Sequence, residues 1–413
     1  MRRVLHFLLL LFWVLPVFSQ SKTVTDYFPP RGEWAHRSPS ALGLDSGALT
    51  AAIAFAREHE AKAPRDQALG QAESFGKAEP YDEIVGPMKT RGEPTGIIVY
   101  KGYVVAEWGE PKRVDMTHSV TKSFLSSVIG VAVDQGLIRS VLDTVADYVP
   151  PVEVYDPLAP LRMPGEALKP DLLYPFASEH DRKLTWDVML RQTSDWEGVL
   201  WGKPDWADRP VGKPDEWTTR ARNAPGSVWK YNDVRVNVLA LAATCVWRAP
   251  LPQVLKTYIM DPIGASTTWR WYGYRNSWIV LDGQAVQAVS GGGHWGGGMF
   301  INAYDMARFG WLTLHRGNWN GRQLLSDQWV KQALTPTTAN PGYGYMNWFL
   351  NTDKKMLPDA PASAFVHIGN GTNFIYVDPE HHLVAVVRWI ENSSMDGMVK
   401  KILSALSGAA EKK

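Results

Sequence analysis

A serine and a lysine three positions apart, Ser119 and Lys122, are the residues of this 413-residue chain whose types and spacing could do chemistry. They precede an apolar run from Phe124 to Val133 that Gly136 ends, which is the pattern of a buried helix. Residues three apart on a helix lie one turn apart on the same face. Burial and the positive end of the helix dipole would both lower the pKa of the lysine, which could then accept the hydroxyl proton of the serine. The pair therefore predicts a serine hydrolase.

The same spacing occurs twice more, in Ser74–Lys77 and in Ser227–Lys230. The first of these lies in a polar stretch with no apolar helix behind it, and the other follows Pro225-Gly226, which predicts a turn. Ser119 alone precedes an apolar helix that would fix the pair and remove water from the lysine. The simpler alternative is that Ser119 or Thr117 only caps this helix.

Two pairs of strands, near opposite ends of the chain, are the elements that must position the helix. The first pair is Ile97–Tyr100 and Tyr103–Trp108, joined by the turn Lys101-Gly102. The other pair is Phe374–Asp378 and Leu383–Trp389. Because helical patterns lie between them, the sequence predicts an α/β fold. We expect an antiparallel β-sheet built from both chain ends and flanked by helices, with an all-helical insertion subdomain.

The N-terminus has the features of an export signal. Arg2-Arg3 precede an apolar stretch from Val4 to Phe18, which is too short to span a bilayer comfortably, and small residues precede Gln20. The sequence therefore predicts a signal peptide over residues 1–19 and a periplasmic or secreted protein. The alternative is an uncleaved segment, which would place the protein on a membrane.

The rest of the chain divides by its patterns into an N-terminal extension and a hydrolase domain. The extension, residues 20–95, holds a first helix. The hydrolase domain, residues 96–405, is expected to consist of a sheet subdomain over residues 96–140 and 290–405 and a helical subdomain over residues 141–289.

Composition excludes some partners and favours others. The chain has 43 Lys and Arg against 42 Asp and Glu, a net charge of +1, so nothing indicates nucleic acid as a partner. The only cysteine is Cys245, which excludes an internal disulfide. Several tryptophans fall in loop-like segments and could wall an apolar pocket for a small acyl substrate: Trp196, Trp201, Trp206, Trp217 and Trp295.

Three segments, in this order, together resemble the motif series of the serine β-lactamase-like superfamily. They are Ser119–Lys122, Pro225–Asp233 and His367–Gly369. The middle segment is similar to the one that supplies a Tyr-x-Asn motif, and the last resembles the strand motif Lys-Thr-Gly, which is often His-x-Gly in the esterase-like branch. The resemblance covers roughly residues 90–405 and is closest to class C β-lactamases and family VIII carboxylesterases, with penicillin-binding proteins as further relatives.

The resemblance implies a role for each matched residue. Ser119 would attack an acyl carbonyl, and Lys122 and Tyr231 would share the work of general base and proton shuttle. The backbone amides of Ser119 and Asn370 would bind the oxyanion, and Gly369 would let the strand approach the substrate. Neither a metal nor another cofactor is implied.

The first departure from the family pattern is Asp233, which stands where the family has the asparagine of Tyr-x-Asn. It is expected to bind substrate. An ionised Asp233 would hold Lys122 protonated and favour Tyr231 as the base, whereas a neutral Asp233 could mimic the asparagine. Alternatively, Asp233 only caps the helix that starts there.

Further departures affect the third motif and one loop. His367 stands where class C β-lactamases have a lysine, and is expected, with Gly369, to contact the substrate. Gln192 and Asp195 stand where relatives commonly carry His and Gly, and we expect this change to affect loop structure rather than chemistry.

Rival functions fit less well. An α/β-hydrolase needs a Gly-x-Ser-x-Gly motif directly before a helix. The segment most similar to this motif, Ala288–Gly292, is followed by further glycines and not by a helical pattern. A metal hydrolase is not indicated, because the sequence has no His-Glu-x-x-His motif and its adjacent histidines, His381-His382, lie at an expected turn. We therefore expect a carboxylesterase or amidase. A β-lactamase or D-Ala-D-Ala peptidase is the alternative, and a binding relative without turnover is the further one.

Overall fold

The computed structural model describes residues 26–155 and 171–407. The predicted signal segment, residues 1–19, lies outside these ranges. Among the described residues no single helix is long and apolar enough to cross a membrane. One bent pair, Asp233–Trp247 with Leu251–Met260, passes on length and composition alone.

The helices of the described residues lie mostly in the first two thirds of the chain and at its end. A 3₁₀ turn, His118–Val120, runs directly into the fourth of them. In chain order the helices are α1 Ser46–Glu58, α2 Gln67–Glu73, α3 Phe75–Ala78, α4 Thr121–Asp134, α5 Trp186–Leu190, α6 Asp233–Trp247, α7 Leu251–Leu255, α8 Ala303–Leu314, α9 Asp327–Ala333 and α10 Met395–Ser407.

The strands form two larger sheets and two short hairpins. In chain order they are β1 Thr95–Tyr100, β2 Tyr103–Trp108, β3 Asp115–Met116, β4 Val152–Val154, β5 Asp171–Leu173, β6 Val199–Leu200, β7 Lys203–Pro204, β8 Arg270–Leu281, β9 Gln284–Val289, β10 Gly298–Ile301, β11 Asn318–Trp319, β12 Arg322–Gln323, β13 Phe349–Leu350, β14 Phe365–Gly369, β15 Asn373–Asp378 and β16 Leu383–Arg388.

The central sheet has six antiparallel strands in the order β13-β14-β15-β16-β1-β2. β1 pairs directly with β16, with Ile97 opposite Val386. The β1–β2 hairpin turns through Lys101 and Gly102, whose φ angles are 50° and 88°, as a tight two-residue turn requires. These pairings confirm the predicted α/β fold with an antiparallel sheet built from both chain ends.

Helices cover both faces of this sheet. On one face α1 and α10 pack together over side chains such as Ile98 and Ala385. On the other face α8 lies over Ile97 and Val386. Because both faces are buried, the strands are apolar at successive positions instead of alternating with polar residues. Since α1 belongs to residues 20–95, the predicted extension forms part of the cover of the sheet.

Residues 141–289 contain strands, so the prediction of an all-helical insertion is wrong. β8 pairs with β4, β9 and β10 in a further antiparallel sheet that also includes β3 and β5. Asp282 and Gly283 make the turn between β8 and β9, with φ angles of 52° and 78°. Asp-Gly between two runs rich in aromatic and β-branched residues is a strong hairpin signal. The sequence therefore carried a local indication of this sheet.

Candidate active site

Ser119 lies in the 3₁₀ turn that leads into α4, and Lys122 follows one turn later. The Nζ atom of Lys122 lies 2.8 Å from the Oγ atom of Ser119. The lysine side chain is fully buried, whereas Ser119 is partly exposed. Neither Thr117 nor Ser119 makes a side-chain capping bond, so the alternative in which they only cap the helix is wrong.

His118, immediately before Ser119, has a left-handed backbone with a φ of 47°. This conformation is unfavourable for a residue other than glycine and persists where the surroundings hold it. Gln67 of α2 holds the ring, because its Oε1 lies 2.8 Å from His118 Nε2, and Trp389 packs edge-on against the ring. Burial lowers the pKa of His118 to about 3. The neutral ring therefore shapes the turn that presents Ser119.

Asp233 is the buried partner of Lys122. Its Oδ1 lies 2.6 Å from Lys122 Nζ, and its Oδ2 lies 2.9 Å from Nη1 of Arg209. Arg209 also pairs with Asp208 at 2.5 Å and lies 5.1 Å from the centroid of the Tyr231 ring. The Asp233 side chain is 1% exposed. Both of its oxygens are engaged inside the protein. Asp233 therefore contacts Lys122 and Arg209 and does not face the substrate, contrary to the prediction.

The charges of this buried group follow from its neighbours. Burial alone would raise the pKa of Asp233, but Lys122 and Arg209 outweigh it and hold that pKa well below its ordinary value. Burial lowers the pKa of Lys122, Asp233 opposes that change, and Arg209 adds to it. Asp233 is therefore ionised and does not mimic a neutral amide. It is not the helix cap either, because Asn232 Oδ1 accepts from the Arg235 amide at 3.0 Å.

Tyr231 lies against the lysine, with Lys122 Nζ 4.6 Å from the ring centroid. Its hydroxyl donates to Oδ1 of Asn347 at 3.2 Å. Burial raises the pKa of Tyr231 well above its ordinary value, Asp233 adds to the rise, and the Ser119 hydroxyl partly opposes it. The tyrosinate form is therefore disfavoured, and the hydroxyl of Tyr231 keeps its proton.

Asn347 is a site residue that the sequence patterns did not reveal. It is fully buried and left-handed, with a φ of 63°. Besides accepting from Tyr231, it donates through Nδ2 to the carbonyl oxygen of Ile368 at 2.6 Å, and its backbone amide donates to the Tyr343 hydroxyl at 2.7 Å. Asn347 thus ties the tyrosine to strand β14. A single asparagine forms no recognisable sequence motif, so Asn347 could be assigned to the site only from its contacts in the structure.

His367, predicted to bind substrate, lies in the core instead. Its ring packs edge-on against Trp348 and Phe365 and at a tilt against Phe309 of α8. Alternate residues of a strand face opposite sides, and His367 shares the side of Phe365 that faces α8. Burial lowers its pKa to about 3. The ring is therefore neutral and does not replace the lysine of the third motif at the substrate.

Gly369 ends β14 directly against the turn that carries Ser119. A Cβ at this position would overlap the carbonyl oxygen of Thr117 and lie 3.1 Å from the amide nitrogen of Ser119. Glycine is therefore required for this approach. Asn370 is the next residue and is exposed. The two amides predicted to bind the oxyanion, those of Ser119 and Asn370, thus belong to two segments in contact.

The glycine-rich segment of residues 291–298 closes the site over the ion pair. A Cβ on Gly292 would overlap both Asp233 Oδ1 and Lys122 Nζ. The backbone therefore packs directly on the Lys122–Asp233 pair. Such packing excludes water from the lysine and so favours its neutral form.

The two other serine–lysine pairs are not assembled. Ser74 Oγ donates to the Gly70 carbonyl and Ser227 Oγ to the Ala224 carbonyl, each at 2.6 Å. In the described parts of the chain no hydrogen bond joins either serine to its lysine. These contacts agree with the interpretation of Ser74–Lys77 and Ser227–Lys230 as chance matches.

Gln192 and Asp195 shape the loop beside the Tyr231 motif. Both have positive φ angles, of 56° and 50°. Gln192 Oε1 accepts from the Asn232 amide at 2.7 Å, and Asp195 pairs with Arg220 and Arg235. These contacts are structural, in agreement with the expectation that this departure affects the loop.

Glu79, Asp208 and His294 are the group of described residues whose donor atoms could together hold a metal ion, because these atoms lie within 4.8 Å of one another. His294 Nε2 lies 2.6 Å from Glu79 Oε2, and Arg209 lies between the group and Asp233, 3.4 Å from His294 Nδ1. The guanidinium of Arg209 thus supplies positive charge to these carboxylates. The group connects the active site to residues 20–95 through Glu79.

Replacing Arg209 by methionine is expected to move the acid limb of the pH–activity profile to higher pH. Arg209 binds one oxygen of Asp233 and lowers the pKa of Lys122, so its loss raises that pKa. A general base works only when deprotonated, so activity on this limb falls. The measurement is kcat/KM against pH, with Arg316→Met, which removes a surface pair with Asp327, as control. An unchanged or acid-shifted limb in a folded Arg209 variant contradicts this role.

A family model and several solved structures match this chain. A family model described as Beta-lactamase matches residues 97–406, which is more than half of the chain. A solved hydrolase with promiscuous acyltransferase activity, EstCE1, superposes with a TM-score of 0.52 at 14% identity, over 87% of this chain and 98% of that one.

Two further solved structures share the fold. A family VIII carboxylesterase has a TM-score of 0.50 at 16% identity, over 84% of this chain and 98% of that one. A penicillin-binding protein homologue from Caulobacter crescentus has a TM-score of 0.50 at 14% identity, over 84% and 97%. At these identities the likeness concerns the fold alone.

Proposed function

We propose that this chain, which belongs to the beta-lactamase family, is an exported serine hydrolase that forms an acyl-enzyme on Ser119 and acts on esters or amides of small acyl groups. The observation that carries the proposal is the 2.8 Å contact between Ser119 Oγ and the buried amine of Lys122. The lowered pKa of Lys122 supports its role as the base.

The reaction follows from the positions of these groups. Lys122 accepts the hydroxyl proton while Ser119 Oγ attacks the carbonyl carbon, and the amides of Ser119 and Asn370 stabilise the negative oxygen. Tyr231 relays a proton to the leaving group, which departs and leaves the acyl group on Ser119. Water then attacks the acyl-enzyme by the reverse sequence of proton transfers and releases the acid.

Esters suit this site better than β-lactam antibiotics, which carry a carboxylate beside the reactive ring. Class C β-lactamases present a lysine there, whereas His367 is neutral and buried. The amide donor of the Tyr-x-Asn asparagine is also missing, because Asp233 is an ionised acceptor engaged by Lys122 and Arg209. An ester has a better leaving group than an unstrained amide and needs less help from a general acid.

Short-chain nitrophenyl esters are therefore expected to exceed cephalosporins in kcat/KM by at least about 10², or roughly 2.7 kcal/mol of transition-state stabilisation. The measurement is a side-by-side panel of a nitrophenyl ester, a chromogenic cephalosporin and a D-Ala-D-Ala peptide, with and without a chelator. Cephalosporin turnover at or above the ester value would make the protein a β-lactamase, and fastest turnover of the peptide would make it a peptidase. Turnover of none by the folded protein would favour a binding role.

Export is a separate part of the proposal. It is supported by the charged start and short apolar run within residues 1–19. Intact-mass analysis of the protein from its native cells should show a chain that begins at Gln20, and a full-length chain in the membrane fraction would contradict cleavage.

A further inference from the structure

A cavity of about 300 Å³ lies next to the Tyr231 motif and has no part in the chemistry described above. Three tryptophans form its aromatic walls, and Trp206 and Trp217 stack with their ring centroids 6.1 Å apart. Val211 and Val228 line it while 79% and 44% exposed. Apolar side chains left in contact with water at a concave site are typical of ligand pockets.

The cavity adjoins the active site through its third tryptophan. Trp229 lines the cavity, and its ring centroid lies 6.1 Å from that of Tyr231 and 5.3 Å from that of Tyr343. Tyr231 in turn lies against Lys122. The cavity thus lies one aromatic ring away from the tyrosine that packs on Lys122.

The cations of the cavity wall differ in how they are paired. Arg220 and Arg235 both pair with Asp195, and Arg235 pairs with Asp205 as well. Lys230 also lines the cavity, but none of the ion pairs or side-chain hydrogen bonds in the described ranges involves its ammonium group. Burial lowers the pKa of Lys230 and Arg235 lowers it further, whereas Asp208 and Asp205 oppose the change without pairing directly with the ammonium group. A half-buried ammonium group that has no direct ion pair or hydrogen bond is costly, and a bound anion would relieve that cost.

We propose that this cavity is a subsite for a carboxylate-bearing apolar or aromatic arm of the substrate, with Lys230 as the residue that binds the carboxylate. The tryptophans bury the apolar part of the arm, and the ammonium group supplies the charge-assisted hydrogen bond. The inference rests on the proposed function in so far as the ligand is a substrate, whereas the binding itself requires only the cavity. Lys230 is the lysine of the chance match Ser227–Lys230. In this proposal it binds a ligand and takes no part in catalysis.

The direct test is binding of two ligands of nearly equal shape, 4-phenylbutyrate and its neutral analogue 4-phenylbutanamide, to the whole protein by calorimetry. The carboxylate should bind about tenfold more tightly than the amide. Lys230→Met should abolish that difference and leave the amide affinity unchanged, and Lys230→Arg should retain most of it. Lys183→Met, which removes an exposed lysine paired with Glu179, is the matched control and should behave as the unmodified protein does.

The outcomes separate the subsite from the proposed function. Equal affinities for the two ligands, or a carboxylate preference that survives Lys230→Met, overturn the subsite whatever the esterase rates are. A Lys230-dependent preference in a folded protein that hydrolyses neither esters nor amides supports the anion subsite and contradicts the hydrolase. A Lys230-dependent preference, together with inhibition of ester turnover by 4-phenylbutyrate in the unmodified protein and less in Lys230→Met, supports both.

Discussion

Ser119→Ala is expected to lower kcat by about 10⁴-fold or more while the protein stays folded. The hydroxyl of Ser119 lies 2.8 Å from the buried amine of Lys122, and its loss removes the atom that would form the bond to the substrate. The fold should survive, because Ser119 makes no capping bond and is partly exposed. Steady-state rates with a nitrophenyl ester, together with a thermal melt, measure both effects.

Ser227→Ala is the matched control for this variant. It removes a serine from another Ser-x-x-Lys sequence, whose hydroxyl donates to the Ala224 carbonyl in its own turn, so kcat should be nearly unchanged. More than a few per cent of activity left in Ser119→Ala, or an equal loss in Ser227→Ala, would show that the nucleophile has been assigned to the wrong residue.

Lys122→Ala is expected to lower kcat by at least about 10²-fold, the scale for losing a positioned base. The loss should lie in kcat more than in KM, because the amine is buried behind Ser119 and interacts with the moving proton. Asp233 keeps Arg209 as a partner at 2.9 Å, so the variant does not leave a buried carboxylate without a counter-charge and should still fold.

Lys77→Ala is the control, since Lys77 is exposed and belongs to the chance match Ser74–Lys77. Small primary amines added to Lys122→Ala should restore part of the rate, because they can enter the space left by the side chain, and they should not affect Lys77→Ala. A folded Lys122→Ala protein that retains most of its kcat would assign the base to another group.

The parts of the fold that local patterns determine could be predicted from the sequence. The β1–β2 hairpin follows from two β-rich runs around Lys101-Gly102, and α4 follows from its unbroken apolar run. A sheet built from both chain ends could be expected from strands at both ends with helices between them, but the direct pairing of β1 with β16 could not, because no local pattern shows which distant strands meet. The sheet built around β8 was missed although Asp282-Gly283 marked the β8–β9 turn, since its strands lie among segments with helical patterns.

Some residues of the candidate site could likewise be predicted from local sequence patterns, and others could not. Ser119 and Lys122 could be found because three positions on one helix fix their distance. The environment of Asp233 could not, because Arg209, which shares its carboxylate, stands in an irregular segment and is brought there by the tertiary structure. The side chain of His367 was misplaced for a related reason. The strand that carries His367 was predicted, but the sequence does not show which face of the strand is covered. The His367 ring lies on the face that packs against Phe309 of α8 and against Trp348.

The central claim is that Ser119 is the nucleophile of an acyl-enzyme, and covalent labelling tests it most directly. The unmodified protein treated with a fluorophosphonate probe should gain the mass of one adduct, which peptide mapping should place on Ser119, and Ser119→Ala should gain none while Ser227→Ala labels normally. Lys122→Ala should label much more slowly, because the hydroxyl has lost its base. A folded protein that gains no adduct, or an adduct on any other serine, would contradict the account.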